Sequence, residues 1–350
     1  MRNFTRKNVV SLEAYKPEPQ QAKAVLNANE NPYNLPPAVA EIIADRIRQL
    51  DFNRYPDPGA SELTKAAADF CGVPPDKIIC GSGLDEILMI MTEAFVGPDD
   101  TVVTHKPGFS MYDIWTQIAG GSFISVFDKP DGSIDVDGLI EEARDNCAKI
   151  VYVCSPNNPT GYRMPAGEIV RLLEETPSLI VLDEAYVDFA DGSLVRMTDD
   201  WENLVVLRTL SKAFRLPSAR CGWAVADPRI IDAMFKVKGP YNLNALTQIA
   251  ARTVLENADQ ILDKVPEIID SREDMTAFLQ KYPQITVYPS SANFIYFKTK
   301  DAPELQQCFI DSSVLTKYFK SDYAFRLSIG TPAENEAVKK TVIDLYGEKK

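Results

Sequence analysis

Histidine is almost missing from this 350-residue chain: His105 is its one imidazole. A zinc site needs several well-spaced ligands and a serine hydrolase needs an imidazole beside its nucleophile, so neither chemistry has much to build on; we expect no metal. The six cysteines, at positions 71, 80, 147, 154, 221 and 308, show no paired spacing. Several lie in apolar runs such as KIIC and IVYVC, where a thiol packs as a small hydrophobe, and they read as structural and reduced. Basic charge is also short. With 37 Lys and Arg against 50 Asp and Glu, the net charge of -13 opposes condensation on nucleic acid or anionic lipid. No apolar run approaches the roughly 20 residues of a membrane helix, and the N-terminal MRNFTRK lacks the apolar core of a signal peptide. The expectation is a soluble cytoplasmic protein without nucleic-acid or membrane partners, long enough to bury a sizeable core.

What the chain does have is alternation. Between about 40 and 235, helical patterns alternate with short apolar runs: TVVTH, SFISVF, KIVYVCSP, SLIVLDEAY and NLVVLRTLSK. Runs apolar on both faces suit a parallel sheet covered by helices, since neither side of such a strand meets water. This predicts an α/β architecture, with a large, doubly wound, mostly parallel sheet over 36–244. From Ala245 to about Tyr282 the pattern turns helical, and the runs ANFIYFK and YAFRLSIG then precede a closing helix from about Pro332. A smaller α+β domain, 245–350, entered by a long linking helix, is the expectation. Residues 1–35 have no periodicity and read as an arm packed on the small domain or on a partner.

Four segments just past predicted strands, where α/β sheets bind ligands, carry residue types suited to one chemistry. SLIVLDEAY ends a strand on Asp183, with Tyr186 close behind. A carboxylate there can keep a pyridine nitrogen protonated and the ring cationic. In RTLSKAFRLPSAR, Lys212 brings an amine able to form an imine with an aldehyde, while Thr209, Ser211 and Arg220 bring donors for a phosphate. CSPNNPTG reads first as a turn, yet Asn158 adds an amide that can donate, beside the Tyr186 hydroxyl, to a phenolic oxygen. CGSGLDE is a glycine turn opening a helix whose first amides can hold a phosphate.

Taken in order, GSGLDE, PGFSMY, SPNNPTG, LDEAY, SKAFRLPSARCG and FRLSIGT resemble the fold-type I pyridoxal-phosphate-dependent aminotransferases. With LNANENPY and RYPDP nearer the N-terminus, the set is similar to the histidinol-phosphate aminotransferase branch. The likeness runs from about residue 25 to 335. It implies pyridoxal 5'-phosphate as cofactor, with Lys212 as the lysine that carries it and shuttles the proton. It further implies that Asp183 pairs with the ring nitrogen, that Asn158 and Tyr186 hold the ring oxygen and that Phe109 stacks on the ring. The phosphate falls to Thr209, Ser211, Arg220 and the amides around Gly83, Leu84 and Asp85. Tyr55 reaches it across a dimer interface, so a homodimer with its active site at that interface is implied. On the substrate side the resemblance implies Arg326, which would grip an acidic group with its planar fork, together with Lys317, Tyr15 and Asn29. The partners would be a small amino donor and a keto acceptor: L-histidinol phosphate and 2-oxoglutarate, in histidine biosynthesis.

The chain departs from that pattern in places. Lys317 stands where the family usually has arginine, offering a point charge in place of a fork. Arg215 stands where glycine or alanine is general, and Gly108 replaces a threonine. The glycine that commonly follows Pro17 is missing. These departures keep rivals in view: an aromatic amino acid aminotransferase, a phosphothreonine-type decarboxylase on the same cofactor, and a cofactor-sensing regulatory module. The acidic balance and the lack of room for a DNA-binding head before LNANEN disfavour the last. Arg215 either adds positive charge near the cofactor or points into solvent.

Overall fold

A computed structural model describes residues 4–14 and 21–348, so the expectation for Tyr15 lies outside the described residues. Strand β1 (Ala24–Leu26) is claimed by a small sheet; β2 (Ile78–Gly81) through β8 form a large one. The intervening strands are β3 (Thr101–Lys106), β4 (Ser122–Phe127), β5 (Ile150–Cys154), β6 (Leu179–Asp183) and β7 (Leu204–Thr209), with β8 at Gly222–Val225. The order is β2-β8-β7-β6-β5-β3-β4. The run from β4 to β7 is parallel, and β8 lies antiparallel to both its neighbours.

The apolar runs form this sheet because both faces are covered by helices. Side chains alternate across a strand: Leu204 and Val206 enter one core, Val205 and Leu207 the other. Strand β4 departs from the expected burial. Its ends are exposed and its middle half-buried, because it is the sheet's edge and pairs only with β3. The GWAV strand β8 escaped the sequence reading.

The second sheet has the order β1-β11-β12-β10-β9, from β9 (Ile285–Val287), β10 (Phe294–Thr299), β11 (Val314–Phe319) and β12 (Ala324–Ser328). Only β1 runs parallel to its neighbour. The closing helix, Pro332–Tyr346, starts with a capping box between Thr331 and Glu334, which satisfies amides that the first turn leaves without partners.

The single long helix expected from 245 is instead broken. Ala245–Glu256, Ala258–Ile261, a 3₁₀ turn at Leu262–Lys264 and Val265–Gln280 follow one another. Asn257 leaves helical geometry at φ -121°, ψ 30°, and Pro266, in the first turn of the last helix, has no N–H for a preceding turn. The N-terminal segment is divided as well. Asn8 donates to the carbonyls of Gln117 and Ile118, each at 2.8 Å, at the end of the helix Met111–Ala119, whereas β1 belongs to the small sheet.

Candidate active site

At the carboxyl ends of β5, β6 and β7 a cavity of about 430 Å³ opens, closed on its other side by residues 27–29 and by β11 and β12. It is lined by Asn29, Leu84, Asp85, Phe109, Asn158, Asp183, Tyr186, Thr209, Ser211, Lys212, Arg220, Lys317 and Arg326, which the sequence had singled out from widely separated segments.

Asp183 is the last residue of β6 and is 3% exposed. Its carboxylate accepts from the Tyr112 hydroxyl at 2.7 Å and from the Ala185 amide at 3.0 Å. Burial pushes its pKa upward against those two bonds and the nearby Lys212 amine, and a positively charged partner would favour the carboxylate form. Lys212 lies just past the end of β7, in a loop tied back by Leu216 N–H to the Leu210 carbonyl at 3.0 Å. Its amine donates to the Ala28 carbonyl at 3.0 Å. Burial, aided by the Arg326 and Arg220 cations, lowers its pKa to about 8. The result is an amine much closer to its neutral, nucleophilic form than an ordinary lysine.

Thr209, Ser211 and Arg220 gather at one end. Thr209 donates to the Ser211 hydroxyl at 3.1 Å, and Arg220 reaches Asp85 at 3.2 Å. The helix Gly83–Phe95 starts here. Gly83, at φ +76°, does not line the cavity itself, but a Cβ there would stand 2.5 Å from the Arg220 guanidinium. A Cβ on Gly222 would stand 3.1 Å from the Leu84 amide nitrogen. Two glycines thus leave a cradle of amide, hydroxyl and guanidinium donors at a helix N-terminus, a donor set suited to a phosphate.

On the facing side Arg326 of β12 is in register with Lys317 of β11. Arg326 donates to Asn158 Oδ1 and to the Asn27 carbonyl, both at 2.6 Å. Since arginine is only a donor, this contact takes the oxygen end of the Asn158 amide and leaves its NH₂ as the donating end. Asn29 is buried at φ 54°. Its amide donates to the Tyr186 hydroxyl at 3.0 Å, and its oxygen accepts from Ser328 at 3.0 Å, so its side chain orients Tyr186. Burial raises the Tyr186 phenol to about 12, against the pull of Arg326 and Asn29.

Tyr55 does not line the cavity; it is 81% exposed and stacks on Tyr241 at 4.6 Å between ring centroids. Arg215 neither lines the cavity nor points into solvent, being 8% exposed. Gly108 lines it, and a Cβ there would lie 2.7 Å from the His105 carbonyl, too close for any side chain without backbone movement. Sequence reasoning missed Tyr112, Asn27, Ala28, Cys154 and Phe319. Tyr112 sat in the PGFSMY motif, and Asn27 and Ala28 in LNANENPY, but nothing local says that a tyrosine will bond Asp183 or that a backbone carbonyl will meet Lys212.

A family model described as aminotransferase class I and II matches residues 22–342. A histidinol-phosphate aminotransferase from a Thermoanaerobacter species is 35% identical over 338 residues, 95% of this chain and 96% of that one. Another, from Caldanaerobacter subterraneus, is 37% identical over 319 residues, 91% of each chain. The solved structure of histidinol-phosphate aminotransferase from Sinorhizobium meliloti in complex with pyridoxal-5'-phosphate aligns over 99% of both chains, with a TM-score of 0.88 and 24% identity. The family model spans both sheets and the cavity residues described above, and with relatives 35% and 37% identical over nearly the whole length it shows that the chain belongs to the class I and II aminotransferase family.

Proposed function

We propose that this aminotransferase uses pyridoxal 5'-phosphate and transfers the amino group of L-histidinol phosphate to 2-oxoglutarate, giving imidazoleacetol phosphate and glutamate in histidine biosynthesis. The observation that carries the reading is that one cavity holds the Lys212 amine, the Asp183 carboxylate and the Arg326 guanidinium together. The residues present fit the cofactor: a donor cradle opened by Gly83 and Gly222, a buried carboxylate held by Tyr112 at the end of β6, and an amine of lowered pKa in the same cavity.

Pyridoxal 5'-phosphate, when bound, supplies an aldehyde for amines and a cationic ring that takes up the electron pair released at the substrate's α-carbon. Thr209, Ser211, Arg220 and the amides at Gly83–Asp85 would hold its phosphate. Asp183 would keep the ring nitrogen protonated, and Tyr112, bonded to the carboxylate, orients that group. Asn158 and Tyr186 would hold the phenolic oxygen, and Phe109 would cover the ring. Lys212, with a pKa near 8, is suited to take a proton from the α-carbon and return it. Arg326 would bind the phosphate of histidinol phosphate and the α-carboxylate of glutamate with one bidentate grip. Lys317, its cross-strand neighbour, adds a second positive charge.

A homodimer goes with this reading. It is supported by the exposure of Tyr55, at 81%, and of Phe52 nearby in sequence, at 71%, aromatic surface that a neighbouring copy would cover. Size-exclusion chromatography with light scattering would read a monomer if that inference is wrong. Among the described residues no helix is long and apolar enough to cross a membrane, and all six cysteines are free, which suits a reducing compartment such as the cytoplasm. An aromatic amino acid aminotransferase is the second reading, favoured by Phe319 in the cavity wall and by the point charge of Lys317. Half-reactions with histidinol phosphate, phenylalanine, tyrosine and phosphothreonine decide. Indifference to histidinol phosphate would sink the first assignment, and carbon dioxide release from phosphothreonine would replace it with a decarboxylase.

A further inference from the structure

Arg215 lies three residues past Lys212 with φ +59°, in the left-handed region that disfavours any residue with a Cβ and that glycine enters freely. An arginine held there needs a reason, and its side chain supplies one. Its guanidinium is ion-paired with Asp263, on the short turn Leu262–Lys264, and donates to the Asn34 carbonyl at 3.3 Å. The same guanidinium lies 6.0 Å from the centre of the Tyr33 ring, and the Lys264 ammonium lies 5.4 Å from it. The Tyr33 hydroxyl donates to Glu267, which Lys264 also pairs at 2.6 Å. Asn31 donates to the Ala213 carbonyl at 3.2 Å. Residues 31–34 are therefore fastened on one side to the Lys212 loop and on the other to the turn and first residues of the helix Val265–Gln280.

That segment continues directly into the cavity wall. Ala28 accepts from Lys212, Asn29 donates to Tyr186, and the Asn27 carbonyl accepts from Arg326. Residues 27–34 thus make a strap over the lysine, bonded inside the cavity to Lys212, Tyr186 and Arg326, held at Asn29 by Ser328 and Asn293, with the Arg215 cluster at the outer end. We propose that Arg215 is a positioning residue: it pins the strap and the 262–264 turn to the Lys212 loop and so sets where the lysine amine stands among its partners. The consequence for turnover rests on the functional reading above; the pinning itself does not.

The test compares full-length wild type with Arg215→Gly, which relieves the backbone and so keeps the fold, with Asp263→Asn, and with the double variant. Hydrogen exchange by mass spectrometry is read first. In Arg215→Gly the amides of residues 27–34 exchange about tenfold faster while those of β5–β7 are unchanged, the mark of a local opening. Steady-state kinetics, on an amine that wild type turns over, then show kcat down about tenfold with KM within about threefold, as loss of positioning requires. The double variant is no worse than Arg215→Gly, because both changes remove one shared contact, and Arg215→Lys restores part of the strap's protection. Unchanged exchange in the strap, equal acceleration across β5–β7, or full additivity in the double variant would each overturn the proposal. A wild type that transaminates no amine would remove the functional reading and leave the exchange comparison to decide the pin.

Discussion

The two walls of the cavity are built in different ways. On one wall, Asn158, Asp183, Thr209 and Lys212 each lie on or within a few residues of the end of a strand whose core is buried on both faces. The backbone that carries them takes its place from the parallel ladder of β5, β6 and β7. The other wall is assembled from residues 27–29, Lys317 and Arg326, and its contacts, such as Arg326 to the Asn27 carbonyl, span 299 positions in the chain. Under the proposed function the first wall would carry the chemistry and the second the selectivity. This is also where the chain departs from the family pattern, at Lys317.

The comparison breaks first if the rigid wall proves dispensable. Lys212→Ala should cost on the order of 10⁴ in kcat, the upper end of what a positioned acid–base group contributes. A normal rate in that variant would end the argument. Asp183→Asn keeps an oxygen for Tyr112 but no charge, and kcat should fall on the order of 10³, with KM little changed; steady-state kinetics would read both.

The electrostatics of the same wall can be read without turnover. Burial lowers the Lys212 pKa from 10.5 to about 8, so the cofactor-free amine is neutral above that pH. Its labelling by an amine-directed reagent, followed by peptide mass spectrometry, should reach half-maximum near pH 8. At that pH its free-amine fraction exceeds that of an ordinary lysine by roughly 10². Above about pH 8 the native state has released a proton that the unfolded chain still holds, so Lys212 adds stability as the pH rises from there toward 10.5. Lys212→Met should lose that part of the slope in denaturant titrations.

The selectivity wall should answer more gently. Arg326→Ala removes a charge-assisted contact and should raise KM by about 10- to 100-fold for acidic substrates, with a smaller effect on kcat. Smallest of all, Lys317→Arg should improve KM for phosphorylated donors by only a few-fold, through the regained fork, and leave unphosphorylated donors alone. Equal gains for both classes would mean that Lys317 does not face the phosphate.

Much of the rigid wall was readable in advance because its signals are local. A run such as SLIVLD announces a buried strand, and the residue at its end inherits the strand's place in the sheet. Three-residue strands such as β1 and β9 are too short to show a period, and both were missed. The broken helix around Asn257 and Pro266 was likewise smoothed into one, since apolar spacing continues across the break. Tyr112 was passed over because its partner, Asp183, is 71 positions away.

By itself the sequence determined the α/β class and the place of Asp183 and Lys212 just past strand ends, because these follow from propensity and periodicity within a short window; their roles came from the resemblance of the whole ordered set of motifs to a family. Tertiary structure alone decided that Ala28 receives the lysine, that Asn29 orients Tyr186 and that Arg215 turns inward to Asp263. Those outcomes depend on which distant segments the packed core brings within hydrogen-bond reach, and no local pattern encodes that distance.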